Sequence, residues 1–515
     1  MRMGRILPGL LAAGALALSG CAAFQNYNEV MAPSRESFAS GRYAEARVQL
    51  TGKKPEAEFL RGDQLVPFLE TGLIDHTAGR FKESSAAFLR GTEIIKQQED
   101  KAVISLSNTA AYLGTLIVNE GAAPYQGESF EKTLIHTFLA INYLMQGDLE
   151  GAGVEARRCY RRQEEVARLH ERELGKARRE NERAKRQEAP LVDRDLLDRE
   201  IVHAYRDQDS AASRVANAYQ NPFTNCLCAF IFRARNESND AYLELKRANT
   251  IRPRTPVLGP LLIETAWAGG FQEDIAQWEA AFGLRREEVL ADAAKNPAEV
   301  WILYENGWAP LKCQITIAFP TPEGMVKIAI PKYQIQPGAA QALEVSCNGR
   351  RVRTDLLGDV EAQAIRSLRD RMRILAIKMT LRIVSRLVAE RELRQWMAKE
   401  FGVWGELFAI VSASAVNLGL ERADLRCWSL LPRNLQMARL RLPEGAAIME
   451  LRFLGLGTPS RQVKVNLRAG TPTIVLARSA GDFASVWISQ LAASWRNELE
   501  HGGGTEQSVR NPDNK

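Results

Sequence analysis

The chain has 515 residues, 45% of them hydrophobic and 25% charged, with a formal net charge of +6. That mix belongs to a packed globular protein of about three domains and excludes a disordered chain, a collagen-like fibre and a polytopic membrane protein. The small net charge, spread over 68 basic and 62 acidic side chains, argues against a nucleic-acid partner, and five histidines leave little material for a histidine-rich metal site.

Residues 1–20 read as an address. Arg2 and Arg5 form a positive leader, and Ile6 to Leu18 supply thirteen apolar-leaning residues, too few for a stable membrane span. The run closes in Leu18-Ser19-Gly20-Cys21, which resembles a bacterial lipobox. The resemblance implies cleavage before Cys21 and lipid attachment at that cysteine. With Ala22 following in place of Asp, it also implies an outer-membrane anchor facing the periplasm. Buried acyl chains at about 0.8 kcal/mol per CH2 hold such a protein firmly. The alternative is a plain secreted chain with an incidental cysteine. Residues 21–35 are expected to be a tether.

From 36 to 295 the pattern is helical and one phrase recurs. It reads Gly41-Arg42-Tyr43-Ala44-Glu45-Ala46, then Gly79-Arg80-Phe81-Lys82-Glu83-Ser84, then Gly147-Asp148-Leu149-Glu150-Gly151-Ala152. A fourth copy is read at Asn239-Asp240-Ala241-Tyr242. Glycine closes one helix, a large apolar residue enters the groove, and a small residue lets two helices approach. This resembles tetratricopeptide repeats, whose stacked hairpins leave a concave surface for a protein partner; a generic helical bundle with similar turns is the other reading. Within this region 155–220 forms a charged arm. Glu155 to Arg186 carries both charge signs with a thin apolar seam, which predicts a long protruding helix that is either a solvated face or a docking arm.

Residues 296–360 turn to strand patterning, with Val300 to Tyr304, Gln314 to Phe319 and Val326 to Ile330 as strands and Asn348-Gly349 as a hairpin turn. A helical insertion is expected over 361–422, where Leu368, Met372, Leu375, Met379, Ile383 and Leu387 draw one apolar stripe. Its arginines either face solvent or meet anionic lipid headgroups. A second β-rich block over 423–498 follows, and 499–515 reads as a disordered tail. The fold class is therefore α+β: a helical hairpin array with an arm, then a β-sandwich-like domain with a helical insertion. Cys313 and Cys347 flank the first β block and are the expected disulfide in an oxidising compartment. Cys226-Leu227-Cys228 lacks redox-motif spacing, so buried thiols are expected there.

The search for chemistry finds no zinc, nucleophile-elbow or phosphate-loop pattern, and no cofactor or metal is expected. Two unusual phrases remain, Tyr304-Glu305-Asn306-Gly307-Trp308-Ala309-Pro310-Leu311-Lys312 and Ala423-Asp424-Leu425-Arg426-Cys427-Trp428-Ser429-Leu430-Leu431-Pro432. With Asn221-Pro222-Phe223 and the lipobox, they resemble a family of proteobacterial lipoproteins with tetratricopeptide-like N-terminal halves. Members resemble a component encoded beside a lipoprotein activator of penicillin-binding proteins, which points to peptidoglycan assembly, and the resemblance implies no known activity. This chain departs from the family in having Leu425 and Cys427 where Thr and Ser are expected.

Physically, Asp424 and Arg426 can pair around a strand start while Trp428 packs below; Asn306-Gly307 can turn, and Pro310 can fix the strand that follows. Glu305, Asn306, Gly307, Pro310, Asp424, Arg426, Trp428 and Pro432 are thus either structural or part of a partner or ligand pocket. The expected function is a non-enzymatic, lipid-anchored scaffold for a protein partner. The rivals are a wall-acting enzyme with Glu305 and Asp424 as its acids, and an accessory of an export machine.

Overall fold

The first three copies of the recurring phrase fold as the same helix-ending turn. The computed structural model describes residues 27–51, 65–106, 124–187, 194–321, 324–372, 423–457, 460–481 and 483–491. The lipobox with Cys21, the tail and most of the helical insertion lie outside the described residues. The first helices are α1 (Tyr27–Ala39), α2 (Tyr43–Thr51), α3 (Val66–Thr77), α4 (Phe81–Leu106), α5 (Ser129–Met145) and α6 (Leu149–Gln187). Then come α7 (Arg194–Tyr205), α8 (Asp209–Ser213), α9 (Pro222–Ala234), α10 (Ser238–Ile251), α11 (Leu258–Ala268), α12 (Gln272–Phe282) and α13 (Arg286–Lys295).

At the first three turns the amide of Arg42 bonds the carbonyl of Ser37, Arg80 that of Asp75, and Asp148 that of Tyr143. Each bond closes around a glycine at positive φ, 74° at Gly41, 77° at Gly79 and 75° at Gly147, which only glycine adopts cheaply. The fourth turn sits three residues earlier than the sequence suggests: Asn236, at φ 60°, takes the glycine position and Glu237 bonds Phe232. A fifth turn, missed in the sequence, centres on Gly270, where Phe271 bonds Ala266.

Two expectations at the N-terminal end change. The tether proposed to run to residue 35 ends earlier, because α1 begins at Tyr27 and buries Tyr27, Met31, Ser34 and Phe38 as one stripe spaced four, three and four. The arm is helical as expected, 39 residues in α6. Its first half is packed through Ala152, Ala156, Cys159 and Val166, while Glu171, Arg172 and Gly175 farther along are exposed. Part of the expected 155–220 arm meets the β region instead. Tyr205 and Gln208 donate to the carbonyls of Pro331 and Tyr333 in the β region.

The strands are β1 (Ala298–Asn306), β2 (Leu311–Thr321), β3 (Gly324–Gln334), β4 (Ala342–Cys347), β5 (Arg350–Arg353) and β6 (Asp355–Gly358), then β7 (Asn434–Leu442), β8 (Gly445–Leu454), β9 (Arg461–Leu467), β10 (Thr473–Ala480) and β11 (Phe483–Gln490). A five-stranded sheet runs β11-β10-β1-β7-β6, a four-stranded sheet runs β5-β4-β8-β9, and β2 pairs with β3. Asn348 and Gly349, both at positive φ, make the expected hairpin turn between β4 and β5. The insertion begins as a helix at 360–372.

The fold is α+β, in three layers. Val300, Ile302 and Tyr304 of β1 pack with Val345, Met449, Leu451 and Phe453 of the smaller sheet in one apolar cluster. Trp301 and Leu303, on the opposite face, join Leu69, Phe138 and Phe230 of the helices in another. A strand covered on both sides reads as a continuous apolar run, and all nine residues of β1 are buried. The smaller sheet has one open face, and β8 alternates buried and exposed.

The disulfide expectation fails. Cys313 and Cys347 are free thiols, as are Cys159, Cys226, Cys228 and Cys427. Cys313 lies on β2, paired only with β3, whereas Cys347 projects into the seam between the two larger sheets. Cys313 pairs with Lys332 of β3 outside that seam, so the two thiols have different surroundings.

Candidate functional site

The two unusual phrases meet. β1 ends at Asn306, and Gly307 turns at φ 66° where a Cβ would stand 2.7 Å from that of Ala339. The chain then passes under residues 427–432, with the amide of Ala309 bonded to the carbonyl of Leu431. Arg478 of β10 donates to Leu430 from the same side at 2.9 Å. Pro310 and Pro432 are both buried at this crossing.

Helical carboxylates hold the 427–432 loop by its backbone. Glu70, in the middle of α3, accepts from the amide and hydroxyl of Ser429 at 2.6 and 2.7 Å and from the amide of Leu430 at 3.1 Å. The Tyr27 hydroxyl lies 2.9 Å from the same carboxylate and 2.7 Å from the carbonyl of Cys427. Burial pushes the Glu70 carboxyl up to about 7, against the opposing pull of these donors. Glu131 accepts from the amide of Trp428 at 2.8 Å, and the indole is wedged edge-on to Phe88 and Phe138.

Glu128 caps α5 and carries the heaviest electrostatic duty. Lys312 reaches it at 2.7 Å, Arg371 at 2.6 Å and Ser367 at 3.0 Å, all around a fully buried carboxylate. Burial alone would raise Glu128, but Arg371 and Lys312 together hold it well below the usual carboxylate range. Burial would likewise lower Lys312, and Glu128 reverses that. Glu131, by contrast, is raised by burial and by the charge of Glu128 beside it.

Glu305 lies on β1 with its carboxylate 2.7 Å from Nε2 of His76, whose Nδ1 is 2.6 Å from Asn142. It faces Arg478 across the parallel β1–β10 pair. Burial brings Arg478 down to about 10, and its guanidinium lies over the rings of Phe38 and Trp308. Asn306 exchanges two hydrogen bonds with the backbone of Ala340. Asp424 and Arg426 pair as expected, at 2.9 Å, and Trp428 is buried beneath them. Asn221 caps α9 through the amides of Phe223 and Thr224 and also donates to Gln363 of the helix at 360–372.

Glu305 has no exposed surface, while Asp424 is part-exposed and engaged with Arg426. A second buried network, absent from the sequence reading, clamps α11 to β7: Glu264 takes both terminal nitrogens of Arg439, at 2.6 and 2.7 Å, and Arg441 bridges Glu264 to Glu299. Burial would raise Glu264, but Arg439 and Arg441 hold it far below its ordinary value. His136 bonds Glu155 at 2.7 Å. Among the described residues no group of three or more His, Cys, Asp or Glu is placed to hold a metal ion.

The arrangement is chemically a set of buried ionic clamps that fix one loop and three strands under the helices. Sequence reasoning missed Glu70, Glu128, Glu131 and His76 because each sits in an ordinary helical pattern. No family model, curated protein or solved structure matches this chain.

Proposed function

We propose that the protein is a lipid-anchored scaffold of the cell envelope, held at the outer membrane through Cys21 and facing the periplasm, that presents its arm to a protein partner of peptidoglycan assembly. The observation that carries this reading is the second half of α6. A helix of 39 residues, about 58 Å long at 1.5 Å per residue, leaves its packed core near Val166 and continues with exposed charges of both signs. A solvated face alone does not need such reach, whereas a partner held away from the body does. The residues that suggested catalysis, Glu305 and Asp424, are engaged in structural pairs, which favours a scaffold over a wall-acting enzyme.

Photo-crosslinking in cells from Glu164 and Glu171, both exposed on α6, tests the reading. The expected result is capture of one wall-assembly protein, lost when Arg168 and Arg172 are changed to Glu. Equal capture from the charge-reversed arm, or a blank with the protein correctly lipidated, would overturn it. Complementation by a soluble Cys21→Ser form would remove the anchor from the proposal.

A further inference from the structure

The free edge of β11 forms a groove built for a strand. β11 is the last strand of its sheet, and among the described residues nothing pairs with its outer side. The direction of its backbone groups follows from two bonds. The amide of Leu491 bonds Pro472 on the β10 side, so odd-numbered residues of β11 point their backbone groups inward. Arg461 of β9 reaches the carbonyl of Ala484 from the outside, which agrees. The amides of Ala484, Val486 and Ile488 therefore face outward; Ala484 is buried with Arg461 over its carbonyl, and the edge opens at Val486 and Ile488.

A cavity of about 730 Å³ runs beside that edge, lined by five consecutive β11 residues, Phe483 to Trp487. Side chains alternate across a strand, so a cavity touching five in a row follows the backbone rather than one face. One wall is the helical turns at Gly41 to Glu45 and Ala78 to Arg80; the other is Arg461 to Val463 of β9. Phe483, Trp487 and Ile488 are 36%, 38% and 36% exposed, unusual for residues of this size in a well-packed chain. The lining carries Arg42, Arg80 and Arg461; Arg42 pairs with Glu45 and Arg80 with Asp75, and Arg461 reaches the outer side of β11 at Ala484.

We propose that this edge binds an extended peptide segment of a partner protein by strand addition. The peptide's main chain would pair with Val486 and Ile488, alternate apolar side chains would meet Phe483 and Trp487, and an acidic residue would answer Arg461. The surface is separate from the arm, so the two readings stand or fall independently.

The probe is a displayed random peptide library selected on the purified full chain without its lipid. The expected winners alternate β-branched or aromatic residues with polar ones that include an acid, and their binding slows hydrogen exchange at Val486 and Ile488. Ile488→Pro removes an outward amide while leaving the β10 ladder intact and should weaken binding roughly 30-fold. Trp487→Ala should weaken it comparably, and N-methylation of alternate peptide amides should abolish binding in one register only. The proposal is overturned if no peptide is enriched, or if binding protects amides elsewhere. Finding the edge already occupied, by residues 492–515 or by a second copy that raises the solution mass, would also overturn it.

Discussion

The two faces of the five-stranded sheet solve the same packing problem with opposite chemistry. Toward the smaller sheet, β1, β7 and β10 present Val300, Ile302, Leu440, Val475 and Ala477, and not one charged side chain. Toward the helices the same strands present Glu299, Glu305, Arg439, Arg441 and Arg478. Two twisted sheets stacked by apolar side chains need only shape to agree. Helices laid on a sheet by apolar contact alone can slide or rotate, and each buried clamp here accepts one arrangement. Buried ion pairs are a weak source of net stability, and fixing a unique geometry is their best-attested use.

That contrast can be broken first at Glu128. Glu128→Ala leaves Lys312 buried with no counter-charge, and a loss of about 3–5 kcal/mol in urea unfolding is expected. In the dry seam the response should follow volume instead. Leu451→Ala should cost about 3 kcal/mol and Leu451→Met under about 1.5 kcal/mol by the same measurement, since flexible Met refills the space.

The ionic seam should also respond to pH where the dry one does not. Glu70 titrates near 7 in the folded protein and near 4.5 when exposed. Its contribution is complete below about 4.5 and is lost as the pH rises through about 7, a fall on the order of 3 kcal/mol. The difference in unfolding free energy between the wild type and Glu70→Gln, followed from pH 4 to 8, should show that slope. A flat difference would mean that Glu70 is ionised throughout.

The smallest effects lie at the turns. Gly79 and Gly147 share the same positive φ, yet a Cβ at Gly79 would stand 2.7 Å from Trp487, whereas one at Gly147 meets nothing within 4 Å. Gly147→Ala should therefore cost about 1 kcal/mol, the backbone penalty alone. Gly79→Ala should cost more, and the excess should vanish in a Trp487→Ala background. Melting temperatures of the wild type and these four variants check both statements.

Local chemistry was the legible part of this sequence. The glycine turns at 41, 79 and 147, the Asn348-Gly349 hairpin and the Asp424–Arg426 pair are set by residues within a few positions of each other. The fourth turn was misplaced because asparagine at 236 does glycine's work, and the fifth was missed because Gly270 precedes Phe271 and Gln272, where the other glycine copies have a polar residue and then a large apolar one. Met437 to Leu442, with Arg439 and Arg441 alternating, reads as a half-solvated strand. Both arginines are buried, because their partner Glu264 comes from a helix some 175 positions away. The two family phrases were recognisable as special, but their meeting at Ala309 and Leu431, and the helical carboxylates that hold them, depend on tertiary placement alone.

The aromatic side chains of β11 have one more consequence, for the order in which the molecule can be built. Trp487 donates to the carbonyl of Thr77 across 410 positions, and Tyr27 reaches Cys427 across 400. The first helices are therefore finished by the last strand, and β1 waits for β10 to become a central strand. Contacts this far apart in sequence slow folding, because loop closure must precede the contacts that reward it. A chain emerging from its N-terminus keeps its helical hairpins half-covered until nearly the whole length is through. Its window of exposure to chaperones and proteases is set by topology, before stability enters.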